Sequence, residues 1–318
     1  MTDRYAGGEL LAEVVRSGFV EGRHHGSVVA LGPDGEVVAW AGDVTAPIFP
    51  RSSNKPLQAV GMLRAGLKLH DDADLALVSA SHHGEPMHIN RVRDMLAAGG
   101  LTEADLRTPD DFPLSESSRV ALIRDGVAAA PVYMNCSGKH TGMLRTCVEA
   151  GWALDDYRDI DHPLQKRVRA TVEEFSGEAA AVGVDGCGAP VLSMSLTALA
   201  RAFLTFVSAA EGTDERRVAD AMRQHPDLVS GTGADDDRLM RGVPGLLSKG
   251  GAEGVVAVAI PDIGAVALKI DDGAMRGRMP VLSAALAHLG VEAPEEMHAH
   301  PLMGGGRRVG EVRSIARF

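Results

Sequence analysis

Apolar and polar positions alternate along both ends of the chain and recur at helical spacing through its middle. Near the start, residues 13–16 and 19–21 read as a strand pair. Residues 27–31 and 36–41 are β-branched runs on either side of Gly32-Pro33-Asp34-Gly35, a turn signal that predicts a hairpin. The apolar positions Leu57, Ala59, Val60, Met62 and Leu63 then predict a helix that opens near Ser52 or Ser53 and ends near Gly66. Pro56 agrees, because proline is tolerated in a helix's first turn, where its missing N–H has no partner to lose.

From about residue 70 to 245 the pattern is mostly helical. Residues 75–81 form a short apolar segment, while 88–98 and 102–107 read as helices, the second with Thr102 as its cap. His162-Pro163 opens another, and residues 195–210 carry an apolar stripe (Leu196, Leu199, Phe203, Val207) closed by Gly212. After Gly254 the chain returns to strands, at 255–260 and 265–270 around Pro261-Asp262-Ile263-Gly264. A helix over 274–289, stopped by Gly290, and a last strand at 309–315 complete the pattern. Strands at both ends with helices between them predict a mixed α/β fold in one domain, 1–318. Its antiparallel sheet is built from about 1–66 and 250–318 and packed with helices, a helical lobe spans about 67–249, and a ligand cleft lies between them.

The 318 residues are 45% hydrophobic and 24% charged, which is ordinary for a soluble globular protein. A formal net charge of −11 without a basic tract argues against nucleic acid as a partner. No stretch reaches the length of a membrane span, and the first residues lack a basic segment followed by an apolar one, so the expected location is cytoplasmic. Three widely spaced cysteines point to reduced thiols, not a disulfide framework. A small soluble substrate fits these properties.

The chemistry centres on Arg51-Ser52-Ser53-Asn54-Lys55-Pro56-Leu57-Gln58. Ser52 and Lys55 lie three residues apart, on one face of a helix, where an amine can take the proton of a hydroxyl. A lysine serves as base only in its neutral form, which calls for burial or a nearby cation. The positive end of the helix would favour anionic charge developing at the serine. Read alone, the motif is also what an N-cap Ser53 with solvated neighbours would give. Four further stretches combine glycine with polar residues, as ligand-binding loops do: Ser81-His82-His83-Gly84-Glu85-Pro86, Asn135-Cys136-Ser137-Gly138-Lys139-His140, Asp185-Gly186-Cys187-Gly188-Ala189-Pro190 and Lys269-Ile270-Asp271-Asp272-Gly273.

With Arg-Ser-Ser-x-Lys-Pro-Leu-Gln, Asn-Cys-Ser-Gly-Lys-His and Asp-Gly-Cys-Gly-Ala-Pro in order, the chain resembles the Rhizobium etli-type, or class 3, L-asparaginases from about residue 10 to its end. That family is similar in fold to serine β-lactamases and class A-like glutaminases. The resemblance implies hydrolysis of L-asparagine to aspartate and ammonia through an acyl-enzyme on Ser52, with Lys55 as base. It assigns a second pair to Ser81 and Lys269, whose charge would keep Lys55 neutral. It also implies a zinc ion held by Cys136, Lys139 and Cys187, organising the site and not activating water, and a homodimer.

For the substrate's α-carboxylate Arg51 offers a bidentate fork, and Asp185 suits the α-ammonium. His140 is either a support for the metal ligands or a substrate contact. His24, His25, His82 and His83 read as loop histidines without dependable ligand spacing, although His83 could protrude into the pocket and shift specificity. Glu85 reads as structural and Cys147 as core. The elements Ser-Asp-Asn and Lys-Thr-Gly of penicillin-interacting enzymes are absent. The remaining alternatives are a glutaminase or other serine amidase on the same fold, and a non-catalytic, zinc-stabilised amino-acid-binding protein.

Overall fold

The computed structural model describes residues 4–178 and 180–318. The chain starts with β1 (Glu9–Arg16), β2 (Phe19–Leu31) and β3 (Val37–Ala41). Six helices follow: α1 (Lys55–Arg64), α2 (Asp72–Val78), α3 (Pro86–Ala98), α4 (Glu116–Arg124), α5 (Ser137–Ala150) and α6 (Pro163–Ser176). A short hairpin, β4 (Val182–Val184) and β5 (Pro190–Leu192), leads to α7 (Leu196–Ser208), α8 (Asp214–Gln224), α9 (Pro226–Val229) and α10 (Asp235–Gly242). The chain then returns through β6 (Leu247–Gly250), β7 (Val255–Ile260) and β8 (Gly264–Ile270), passes α11 (Arg278–His288), and ends with β9 (Ala299–Gly304) and β10 (Arg307–Ser314).

The main sheet has the order β6-β7-β8-β2-β1-β10-β9, with β3 also paired to β2, and every pairing is antiparallel. The two chain ends meet within it, where Val14 of β1 lies opposite Val312 of β10. Residues 19–21 and 27–31 belong to one 13-residue strand: β2 pairs with β1 along its first part and with β3 along its last. Every residue of β7 is buried, and its unbroken apolar run is what a strand covered on both faces requires. Helix α7 lies along β2, β7 and β8, and α11 packs on β1, β2, β8 and β10. No helix among the described residues is long and apolar enough to cross a membrane.

Several boundaries depart from the pattern. Only a 3₁₀ turn at Glu103–Asp105 forms within 102–107; Thr102 and Asp105 bond each other's backbone as at a helix start, but the backbone becomes extended at Leu106 and the turn goes no further. The 274–289 segment begins as a 3₁₀ turn at Met275–Gly277, and α11 starts at Arg278. His24 and His25 sit on β2, not in a loop. The sheet also gains β6, which begins ahead of the expected boundary at 250 and forms its edge beside the helices. That strand carries a residue the site depends on.

Candidate active site

The serine motif enters α1 through a 3₁₀ turn, Arg51–Asn54, with Lys55 as the first helical residue and Pro56 after it. Arg51 has φ +53°, a left-handed conformation that costs a non-glycine residue energy and turns the chain sharply before Ser52. Ser53 is fully buried and donates to the carbonyl of Lys249 at 2.9 Å. The second serine of the motif therefore ties the turn to β6. Gly251, just past β6, is packed so closely that a Cβ there would lie 2.5 Å from the Pro50 carbonyl oxygen and 2.9 Å from Ser53 Oγ.

Lys55 is buried, and its ammonium donates to the Ala80 carbonyl, to Ser81 Oγ at 3.0 Å and to Cys136 Sγ at 3.1 Å. It bonds Ser81, and no hydrogen bond joins it to Ser52. Loop 81–83 is held in place by backbone bonds from Ser81 N–H to the Val229 carbonyl, from His82 N–H to Asn135 and from His83 N–H to Ser230. His82 is buried against His88 with Nε2 2.8 Å from Ser137 Oγ, and burial together with His88 pushes its pKa well below the usual range. It is a neutral structural group. The Glu85 carboxylate accepts from the backbone N–H and the hydroxyl of Thr232, as a structural residue would.

A cavity of about 360 Å³ gathers Ser52, Ser81, His83, Asn135, Ser230 and Lys249 on its wall. His83 does reach it, its ring lying where Gly231 has no side chain. Lys269 is not among its lining residues. Two strands away from β6, the Lys269 ammonium donates to the carbonyls of Glu253 at 3.0 Å and Ile270 at 3.4 Å, and the charges around it are those of Glu253, Asp271, Arg51 and Asp272. The second lysine beside the serines is Lys249 on β6. It is fully buried, donates to the Gly250 carbonyl at 2.7 Å and lies 3.7 Å from Asp236. Burial lowers its pKa to about 8, Asp236 opposes that change, and Lys55 and Arg278 reinforce it. Ser248-Lys249-Gly250-Gly251 was the available sequence signal: a lysine between a hydroxyl and two glycines after the apolar pair Leu246-Leu247.

Arg51 and Asp185 are brought together, but with each other: Nε donates to Oδ1 at 2.8 Å, and Glu253 stands 3.6 Å from the same guanidinium. The thiols of Cys136 and Cys187 converge as well. A hydrogen bond from Cys136 and the Lys139 ammonium at 3.3 Å hold Cys187 as the thiolate, while Cys136, buried beside that negative charge, keeps its proton. Lys139 is buried yet stays charged next to the sulfur. His140 donates or accepts at Tyr157 Oη, 2.7 Å from Nδ1; its Nε2 has no hydrogen-bond partner among the described residues, and burial lowers its pKa to about 4. Two soft sulfur donors, an amine and an orphaned imidazole nitrogen suit a thiophilic cation such as zinc. Among the described residues no three His, Cys, Asp or Glu side chains gather at metal-binding distance, so Lys139 would have to supply a ligand and give up its proton. Cys147 lies in the core.

A model of the L-asparaginase II family matches residues 12–314. The chain belongs to the L-asparaginase II family. No match was found among curated proteins. Among solved structures, Mglu in its native form is similar at 12% identity and a TM-score of 0.45, over 89% of this chain and 66% of Mglu, just under two thirds of its length. A beta-lactamase from Mycobacterium bovis is similar at 14% identity and a TM-score of 0.45, over 84% of this chain and 95% of the other.

The close approach of Gly251 leads to a prediction. Gly251→Ala forces β6 away from the serine turn and lowers kcat/KM for amide hydrolysis by about a hundredfold, the scale expected of roughly 1 Å of misplacement. Steady-state kinetics alongside a thermal melt check this; unchanged kinetics would show that the turn tolerates the shift.

Proposed function

We propose that the protein hydrolyses L-asparagine to L-aspartate and ammonia through an ester on Ser52. The observation that carries this reading is the convergence of Ser52, Ser81 and the buried Lys249 on one cavity, with Lys55 bonded to Ser81. Ser52 Oγ attacks the side-chain amide carbon and its proton passes to Lys55, which acts as base only once its own ammonium has given up a proton. Ser81, 3.0 Å from that amine, relays a proton to the departing nitrogen, which leaves as ammonia. Water then cleaves the ester and releases aspartate. Lys249, with a pKa of about 8, supplies a group able to hold or give a proton near neutral pH.

For the oxyanion, the N–H of Ser52 and that of Ala252 are the donors of this reading. The Gly250 N–H is taken by Asp236 and the Gly251 N–H by the Val255 carbonyl, which leaves Ala252 as the next donor along the cavity wall. In this reading Lys269 has no catalytic part. Arg51 and Asp185, already paired, offer the substrate's ammonium and carboxylate a matched pair of charges at the rim. Zinc held by Cys136, Lys139 and Cys187 would cross-link the loops around them and fix the wall against which Lys55 rests. The protein acts on a small molecule, in the cytoplasm and as a homodimer.

A second reading has one observation in its favour: the Lys55–Ser81 bond would equally activate Ser81 as the nucleophile. Ammonia release from L-asparagine and L-glutamine, measured side by side, tests substrate and nucleophile together. Ser52→Ala is expected to lose roughly four orders of magnitude or more in kcat while keeping its melting temperature. Mass spectrometry of acid-quenched enzyme is expected to find the aspartyl ester on Ser52; the ester on Ser81 would reverse the assignment, and faster glutamine turnover would change the substrate. Elemental analysis checks the metal, with stoichiometric zinc expected in the wild type and little in Cys187→Ser.

A further inference from the structure

We propose that Asp236 is a positioning residue for Lys249, holding the amine in place from outside the edge of the sheet and setting its charge. The proposal rests on the amidohydrolase reading above, since only that chemistry gives Lys249 a proton to manage.

The first turn of α10 carries three consecutive carboxylates, and a negative first turn is an ordinary response to the helix dipole. Their partners separate them. Asp235 pairs with Arg278 at 2.7 Å, and Asp237 accepts from Arg241 at 2.6 Å and from the Gly233 N–H. Of the three, Asp236 is the one that turns toward β6. It accepts from Ser248 Oγ at 2.6 Å, receives the Gly250 N–H on both oxygens at 2.9 and 3.0 Å, and lies 3.7 Å from Lys249 Nζ.

β6 is an edge strand. The Gly251 N–H bonds inward to β7 through Val255, so the Gly250 N–H points outward, where the sheet provides no acceptor. Asp236 satisfies that donor and so grips the residues on both sides of Lys249. Gly250 has no side chain where this happens: a Cβ there would lie 2.6 Å from Arg278 Nη1 and 3.4 Å from Asp236 Oδ2.

The charges around Lys249 come from four elements. Asp236 on α10 and, to a smaller extent, Cys136 just before α5 favour the charged amine, while Lys55 on α1 and Arg278 on α11 oppose it. Asp236 is buried and remains ionised, its own pKa lowered from the usual carboxylate value despite burial by Lys249, Arg278 and the bonds from Ser248 and Gly250. Without it, burial and two cations would act on Lys249 with only Cys136 against them, and the amine would be neutral at lower pH.

The test is the pH profile of kcat/KM. Asp236→Asn keeps the shape of the side chain and is expected to move the limb assigned to Lys249 toward acid by about one to three units, the range for loss of an opposite charge at this separation. Arg278→Gln is expected to move the same limb toward alkali. A loss of melting temperature with the limb unmoved would show a merely structural role and overturn the proposal. A variant-free measurement needs neither turnover nor a folded mutant. In wild-type protein carrying carbon-13 at the lysine ε and aspartate carboxyl positions, the Asp236 carboxyl resonance is expected to shift with the same midpoint as the Lys249 ε-carbon. Independent midpoints would overturn the proposal even if asparagine turnover is found, whereas shared midpoints without turnover would sink only the amidohydrolase reading.

Discussion

Three lysine ammonium groups are buried around this site, and the rest of the structure is arranged to make that tolerable. Moving an ammonium out of water costs several kcal/mol even after relaxation, so each needs acceptors or a counter-charge close by. The three solutions differ. Lys55 is surrounded by a carbonyl, a hydroxyl and a thiol, with no carboxylate among its bonded partners. Lys139 is held by a thiolate, and Lys249 by a carbonyl and a carboxylate. The difference matters chemically: the thiolate beside Lys139 holds that amine as a cation, whereas burial brings Lys249 toward neutrality in spite of its carboxylate. Lys55 is the one of the three bonded to a serine hydroxyl.

The fold brings these groups together by closing the sheet with both chain ends. β1 and β10 pair next to each other toward its β9 side, and β6, a four-residue strand, forms the opposite edge beside the helices. The serine turn comes from the N-terminal half and β6 from the C-terminal half. The two are joined by the Ser53–Lys249 hydrogen bond and by the close packing that Gly251 permits. Short strands contribute little pairing energy of their own. The position of Lys249 therefore depends on these lateral ties and on Asp236 as much as on its bonds to β7.

The pattern of the sequence made the large elements legible. Hairpins announced by Gly32-Pro33-Asp34-Gly35 and Pro261-Asp262-Ile263-Gly264 formed where their turns required, and the stripe of Leu196, Leu199, Phe203 and Val207 became α7. The serine motif likewise sits at the head of α1. What failed to show was pairing across space. β6 is too short to display a period, and Lys249 falls one residue ahead of the boundary expected at 250, whereas the family resemblance placed the second lysine on Lys269, at the end of a longer apolar strand. Both lysines end apolar runs; only sheet order distinguishes the edge strand beside the serines from one two strands away. Arg51 and Asp185 were likewise recognisable as charges near a site, but not as partners of each other, because their ion pair joins distant loops.

That ion pair has a mechanical meaning. Arg51 is held in a left-handed conformation, a strain of about 1–3 kcal/mol that persists only where the surroundings over-determine it. Its guanidinium fastens the serine turn to the loop carrying Cys187, two residues beyond Asp185. On the other side, Cys136 reaches Lys55 directly at 3.1 Å. The sulfur cluster therefore touches the reaction site at two points, one through the backbone that presents Ser52 and one through the amine bonded to Ser81. A cation seated between the thiols would replace the Cys136 proton and the Lys139 charge, changing the charge beside Lys55 and tightening the loop that Arg51 grips. Structural and electrostatic influence then travel through the same few residues, and a metal here could govern the serine chemistry without touching the substrate.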